Sequence, residues 1–242
     1  ARVAPARPAD VPQPLGHDLA AMARLVDAGT RVVFVANPNN PTGTWCTGAE
    51  LRAFLQSVPP DVVVVLDEAY AEYAAVPGYP DTLPWLGEFP NLLITRTFSK
   101  IYGLAGLRVG YALGDPGIAE LLNRVRQPFN VGNVAQAAAL AALGDDDHVT
   151  RSREVNAAGL RALREGLAAF GWPAPESAGN FVLADTGGPA LPWYEALLRR
   201  GVIVRPVANY GLPRHLRITA GLPQQNARLL AALEQCRAEV GP

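Results

Sequence analysis

The chain has 242 residues, 49% of them apolar and 18% charged, with 21 basic against 22 acidic side chains and a formal net charge of −1. That composition can bury a core and excludes a disordered chain, and balanced charge without a basic patch excludes general electrostatic attraction to nucleic acid. Glycine and proline are plentiful, at 23 and 22 residues, so short loops between regular elements are expected. Residues 18–28, closed by Gly29, are amphipathic and predict a helix; 31–36 (RVVFVA) predict a strand; and 47–57 predict a second helix, with Thr47 and Glu50 spaced as a capping box. Residues 62–66 (VVVVL) and 92–96 (LLITR) are again continuous apolar or β-branched runs, the kind that a sheet covers on both faces, and 108–113 predict a further strand.

Beyond Gly114 the pattern turns helical, at 118–126, in the alanine-rich 134–143 and over 148–170, with Gly144 and Asp145, Asp146 and Asp147 as a stop and a start signal. Short strands follow at 180–184, 202–205 and 215–219, around a helix at 192–200 and before a closing helix at 224–239. The expected fold is α/β, a mostly parallel sheet sandwiched by helices, with a smaller C-terminal α+β domain. Residues 1–150 form the first domain in this reading and 151–242 the second.

Of the 21 basic residues, 20 are arginine and one, Lys100, is lysine. Arginine keeps its proton at any usable pH, whereas a desolvated lysine can lose it and act as nucleophile or base, which marks Lys100 as a candidate for amine chemistry. Ligands of open α/β sheets bind beyond the carboxyl ends of the strands. Three strands here run into polar groups: 31–36 into NPNNPTG (37–43), 62–66 into DEAY (67–70) and 92–96 into TFSK (97–100). Along one rim of a parallel sheet these gather an amide, a carboxylate, hydroxyls and the lysine, followed by Arg108 in GLAGLRVG (103–110). A carboxylate can hold a proton on a heterocycle nitrogen, a lysine can condense with an aldehyde, and hydroxyls with an arginine can hold a phosphate. Pyridoxal phosphate needs that set. Lys100 would attach it, Asp67 would face the pyridinium nitrogen, Asn40 and Tyr70 the ring oxygen, and Thr97, Ser99 and Arg108 the phosphate.

In that order and at those spacings, NPNNPTG, DEAYAEY, TFSK and GLAGLRVG resemble the fold-type I aminotransferases, and the similarity runs over essentially the whole chain. Within them, VIVRP (202–206), YGLP (210–213) and HLRIT (215–219) resemble the C-terminal domain of the histidinol-phosphate aminotransferases. The resemblance implies a homodimer that exchanges an amino group between L-histidinol phosphate and 2-oxoglutarate, with small amino and keto acids as its partners. It also implies that Arg217 binds the carboxylate of the amino donor and that Arg205 helps hold the anionic end of the other substrate, both as guanidinium forks. Two departures stand beside it. Members of the family carry a further segment before the equivalent of Ala1, with part of the phosphate site and an aromatic that stacks on the ring, so this chain is expected to be the C-terminal part of such an enzyme. TAGLPQQN (219–226) stands where the family more usually has a TVGTPEEN-like tail. Aromatic or broad-specificity aminotransferases and threonine-phosphate decarboxylases share the cofactor motifs and stay open as alternatives, as does a non-catalytic fragment.

Other features point to structure rather than chemistry. Cys46 and Cys236 lie far apart without metal-ligand spacing, which fits a reducing cytoplasm, and His17, His148 and His215 share no ligand spacing, so no metal is expected. Trp45, Trp85, Trp172 and Trp193 are scattered as packing residues are. Glu68 follows Asp67 directly, and neighbours on a strand face opposite ways, so the two are not expected to act as a carboxylate pair. Apolar runs are too short to span a bilayer, and no signal-peptide core opens the chain, so no membrane partner is expected.

Overall fold

The valine-rich runs pair as one sheet in the order β1 (Val32–Ala36), β2 (Val63–Asp67), β3 (Leu92–Thr97), β4 (Gly110–Gly114), in a computed structural model that describes residues 1–8, 11 and 13–241. β1–β2 and β2–β3 are parallel and β3–β4 is antiparallel. The register sets Val35 beside Leu66 and Leu66 beside Ile94. These side chains share a core with Leu19 of α1 (Leu19–Leu25) and with Leu51, Phe54 and Leu55 of α2 (Gly48–Ser57). α2 opens with the expected capping box: the Thr47 hydroxyl accepts from the Glu50 amide at 3.3 Å, and the Glu50 carboxylate accepts from the Thr47 amide at 2.7 Å.

α1 stops at Leu25, short of the expected residue 28, because the Asp27 carboxylate accepts from the Gly29 amide at 2.9 Å and the Thr30 amide bonds the Asp27 carbonyl at 2.9 Å, a turn that competes with further helix. β1 departs from two-sided cover. It is the edge of the described sheet, and Phe34 stays 70% exposed. After β4 come α3 (Pro116–Val125), α4 (Asn133–Leu143) and α5 (Asp146–Phe170). Ala135 and Ala139 of α4 pack with Phe98 and Val109 in a small separate core.

The C-terminal part is an antiparallel sheet in the order β5 (Phe181–Asp185), β7 (Leu212–Thr219), β6 (Arg205–Val207), packed with α5, α6 (Ala190–Arg199) and α7 (Pro223–Val240). Trp172 and Trp193 meet edge to face at 4.8 Å, beside Leu163, Leu197 and Leu216. The strand expected over 202–205 lies instead at Arg205–Val207. Gly201 (φ +69°) and Val202 are used to end α6, their amides bonding the carbonyls of Leu198 at 2.9 Å and Leu197 at 3.0 Å, so Val202 cannot also join a ladder.

The chain divides into two compact units, Ala1–Asn39 with Thr44–Thr150, and Asn40–Gly43 with Arg151–Pro242. The four residues of the NPNNPTG turn that group with the second unit do so through close contact. The Ala178 amide bonds the Gly43 carbonyl at 2.8 Å, and a Cβ added at Gly43 (φ +76°) would stand 2.2 Å from the Ser177 hydroxyl. Only glycine fits there.

Candidate active site

Six of the nine expected site residues belong to the first unit. Asp67 ends β2 with its Cα beside Ala36 and Thr95, and its exposed carboxylate accepts from the Ala69 amide at 3.2 Å. Side chains alternate along a strand, so Asp67, Thr95 and Thr97 share one face of the sheet. The Thr97 hydroxyl then accepts from the Ser99 amide at 3.0 Å, a tight turn that leads directly to Lys100. Lys100 is exposed, with Nζ 5.3 Å from the ring centroid of the buried Tyr70.

Arg108 donates to the Ser99 hydroxyl at 3.3 Å and to the Ala105 carbonyl at 2.9 Å. Its backbone is left-handed (φ 52°, ψ 51°), a conformation that costs a non-glycine residue about 1 kcal/mol or more and is found where a side chain must be aimed. A hydroxyl pair and a fixed guanidinium thus stand beside an amine.

The other three residues belong to the second unit. Arg205 and Arg217 are Cα partners on β6 and β7, and like charges directly opposite across a ladder are unfavourable. Arg217 lies 5.1 Å over the Phe181 ring and donates through Nη1 to the Asn40 side-chain carbonyl at 2.5 Å, while its buried Nε has no hydrogen-bond partner. Both arginines line an open cavity of about 470 Å³ with Tyr194, Pro206 and Thr219. Guanidinium groups of this kind can bind anions through paired donors.

The sequence profile described as "Aminotransferase class I and II" matches residues 2–233. The chain belongs to that family. Histidinol-phosphate aminotransferase 2 of Pseudomonas fluorescens is 57% identical to it over 220 residues, 91% of this chain and 60% of that protein. Histidinol-phosphate aminotransferase 1 of Nitrosococcus oceani is 55% identical over 219 residues, 90% of this chain and 59% of the relative. The crystal structure of histidinol-phosphate aminotransferase from Sinorhizobium meliloti in complex with pyridoxal-5′-phosphate matches with a TM-score of 0.80 at 34% identity, covering 92% of this chain and 61% of that one. This aminotransferase chain therefore spans about 60% of the length of the curated relatives it matches.

Sequence reading did not find the polar groups behind the rim of this aminotransferase fold. Glu68 is buried, as its opposite facing requires, and meets Arg96 of the neighbouring strand and the hydroxyl of Thr82. The available signal was an arginine at the end of an otherwise apolar strand run. His148 lies at the start of α5 with Nε2 2.9 Å from the Ile101 carbonyl, next to Lys100. Among the described residues no group of three or more His, Cys, Asp or Glu side chains is placed to hold a metal ion, and no helix is long and apolar enough to cross a membrane.

His17 is half-buried, with Nε2 3.0 Å from the Ala36 carbonyl at the end of β1. Burial, aided by the nearby Arg7 charge, lowers its pKa below the ordinary 6.5 despite the carbonyl. As pH falls the unfolded chain takes up this proton first, so His17 contributes stability above pH 6.5 that is lost as pH falls toward the depressed folded value. His215, lowered chiefly by burial, adds in the same direction. Melting temperature should fall between about pH 7.5 and 5, and His17→Gln, which can still donate to the carbonyl, should flatten part of that slope. An unchanged slope in the variant would refute the assignment.

Proposed function

We propose that the chain carries the reactive lysine and most of the cofactor contacts of a pyridoxal-phosphate-dependent aminotransferase that moves an amino group from L-histidinol phosphate to 2-oxoglutarate. The observation that carries this reading is Lys100, the single lysine, exposed beside Tyr70 in the same short segment as Thr97, Ser99 and Arg108. The donor set fits the group: the Ser99 hydroxyl, bonded to the Arg108 guanidinium, and the Thr97 hydroxyl two residues before it suit a phosphate monoester, and the exposed Asp67 carboxylate suits a protonated ring nitrogen. Tyr70 supplies a hydroxyl for the ring oxygen.

Pyridoxal phosphate, when bound, supplies an aldehyde that joins covalently to amines and a protonated ring that takes up carbanion charge. The chain's own groups do the rest. Asp67 holds the proton on the ring nitrogen. Lys100 would serve as the base that takes the proton from the substrate α-carbon and gives it back. Arg108, Ser99 and Thr97 keep the phosphate fixed, so that the reacting carbon stays within reach of Lys100. Arg205 would take the phosphate monoester of histidinol phosphate, and Arg217 the carboxylate of 2-oxoglutarate and of the glutamate it becomes. Their like charges on opposed ladder positions would favour a bound anion. In this reading the working protein is a cytoplasmic homodimer, and the part of the relatives' length not spanned here completes the phosphate site.

The test is to add pyridoxal phosphate to the purified chain, record its visible spectrum, reduce with borohydride and map the adduct by mass spectrometry. Labelling at Lys100 alone supports the reading. Labelling nowhere, or spread over the primary amines, counts against a cofactor site in this chain. A substrate panel then separates the rivals: phosphate-independent use of phenylalanine would favour an aromatic enzyme, and release of carbon dioxide a threonine-phosphate decarboxylase.

A further inference from the structure

Directly behind the rim, on the opposite face of the sheet from Asp67 and Thr97, lies a closed polar cluster. The parallel register that sets Asp67 beside Thr95 brings Glu68 abreast of Arg96. Both hydrogen-bonding nitrogens of Arg96 approach one carboxylate oxygen of Glu68, Nε at 2.9 Å and Nη2 at 2.7 Å, and the other oxygen accepts from Thr82. The Glu68 side chain is 2% exposed and that of Arg96 is 19% exposed. In the same layer Tyr79 donates to the Asn37 carbonyl at 2.7 Å, at the end of β1.

Each member of the ion pair is one residue from a group assigned to the cofactor: Glu68 follows Asp67, and Arg96 precedes Thr97. Burial works against charge on both partners, and the carboxylate beside it holds Arg96 more firmly protonated. Two apolar side chains would fill this space at little loss of stability or none, whereas an ion pair with both carboxylate oxygens used has one permitted alignment. We propose that Glu68 and Arg96 are positioning residues, which lock the ends of β2 and β3 so that Asp67 and the segment from Thr97 to Lys100 are presented from one rigid rim; the inference rests on the functional reading above.

Amide hydrogen exchange on the full chain without cofactor tests it directly. Glu68→Gln should raise exchange roughly tenfold in peptides covering 67–73 and 97–103, with less than about a twofold change in α2. Thr82→Val, a milder change that removes one partner of Glu68, should give the same pattern at smaller amplitude, which serves if Glu68→Gln does not fold. A uniform rise across all peptides, or none at the two strand ends, would overturn the proposal.

With pyridoxal phosphate added, folded Glu68→Gln should bind it about tenfold more weakly and move the pH midpoint of its visible absorbance, with Arg96→Lys in between. A merely stabilising pair would leave that midpoint unmoved and so count against positioning. If the parent chain fails to label at Lys100, the functional reading falls, and the exchange pattern alone still decides whether the pair pins the two strand ends.

Discussion

Replacing Lys100 with alanine should abolish the borohydride-fixed cofactor adduct and leave the fold in place. The two effects separate because of where the residue stands. Its side chain is exposed, and its contact with Tyr70 is a cation over a ring at 5.3 Å, worth about 0.5–1 kcal/mol at such a site. Thermal melts of the variant and the parent should therefore nearly coincide. The chemistry has no substitute, since the other 20 basic residues are arginines that cannot lose a proton. Labelling at the α-amino group of the purified polypeptide serves as the internal control for unspecific reaction. Amino-group transfer should fall by about 10²–10⁴-fold, the range that a positioned acid–base group supplies. Mass mapping and a rate assay on the same preparation check both halves. Turnover like the parent's, or an adduct that merely moves elsewhere, would sink the central assignment.

How much of this was legible depends on how local each determinant is. Strand ends that run into Asn-Pro, Asp-Glu and Ser-Lys can be read residue by residue, because a parallel sheet places its ligand groups there. Capping of α2 by Thr47 and Glu50 is equally local. What escaped the sequence depends on neighbours far along the chain. Whether Phe34 is covered depends on what lies on both sides of β1, and no property of RVVFVA records that. The start of the strand run at 202–205 was lost to the Gly201 helix stop, a competition that the hydrogen bonds of Val202 reveal. Grouping of Asn40–Gly43 with the second unit depends on Ser177 and Ala178, more than a hundred residues away. Glu68 was read as facing away from Asp67, yet its meeting with Arg96 follows from the β2–β3 register, which pattern alone does not set.

Asp67→Asn should keep both the fold and the bound cofactor and yet lose most of the turnover. At the end of β2 the exposed carboxylate accepts one local bond, from the Ala69 amide at 3.2 Å, and an asparagine oxygen can accept it equally. The strand end is thus preserved, and what the substitution removes is the negative charge. A charge-assisted hydrogen bond is worth about 1.5–3 kcal/mol, and a loss of that size in the step that builds carbanion charge lowers the rate by about 10–200-fold. Asp67→Ala removes the turn acceptor as well, so it should retain less cofactor at a similar rate loss. Measured together, cofactor affinity and kcat distinguish this from a folding defect, which would reduce the amount of active protein without changing the rate of what remains. Comparison with Glu68→Gln sharpens the point, because two adjacent carboxylates on opposite faces should fail differently. Loss of the Asp67 charge should leave amide exchange at the strand ends unchanged while kcat falls. Loss of the Glu68 charge should loosen those ends first. If Asp67→Asn turned over within about threefold of the parent, the carboxylate would not be the partner of the ring nitrogen.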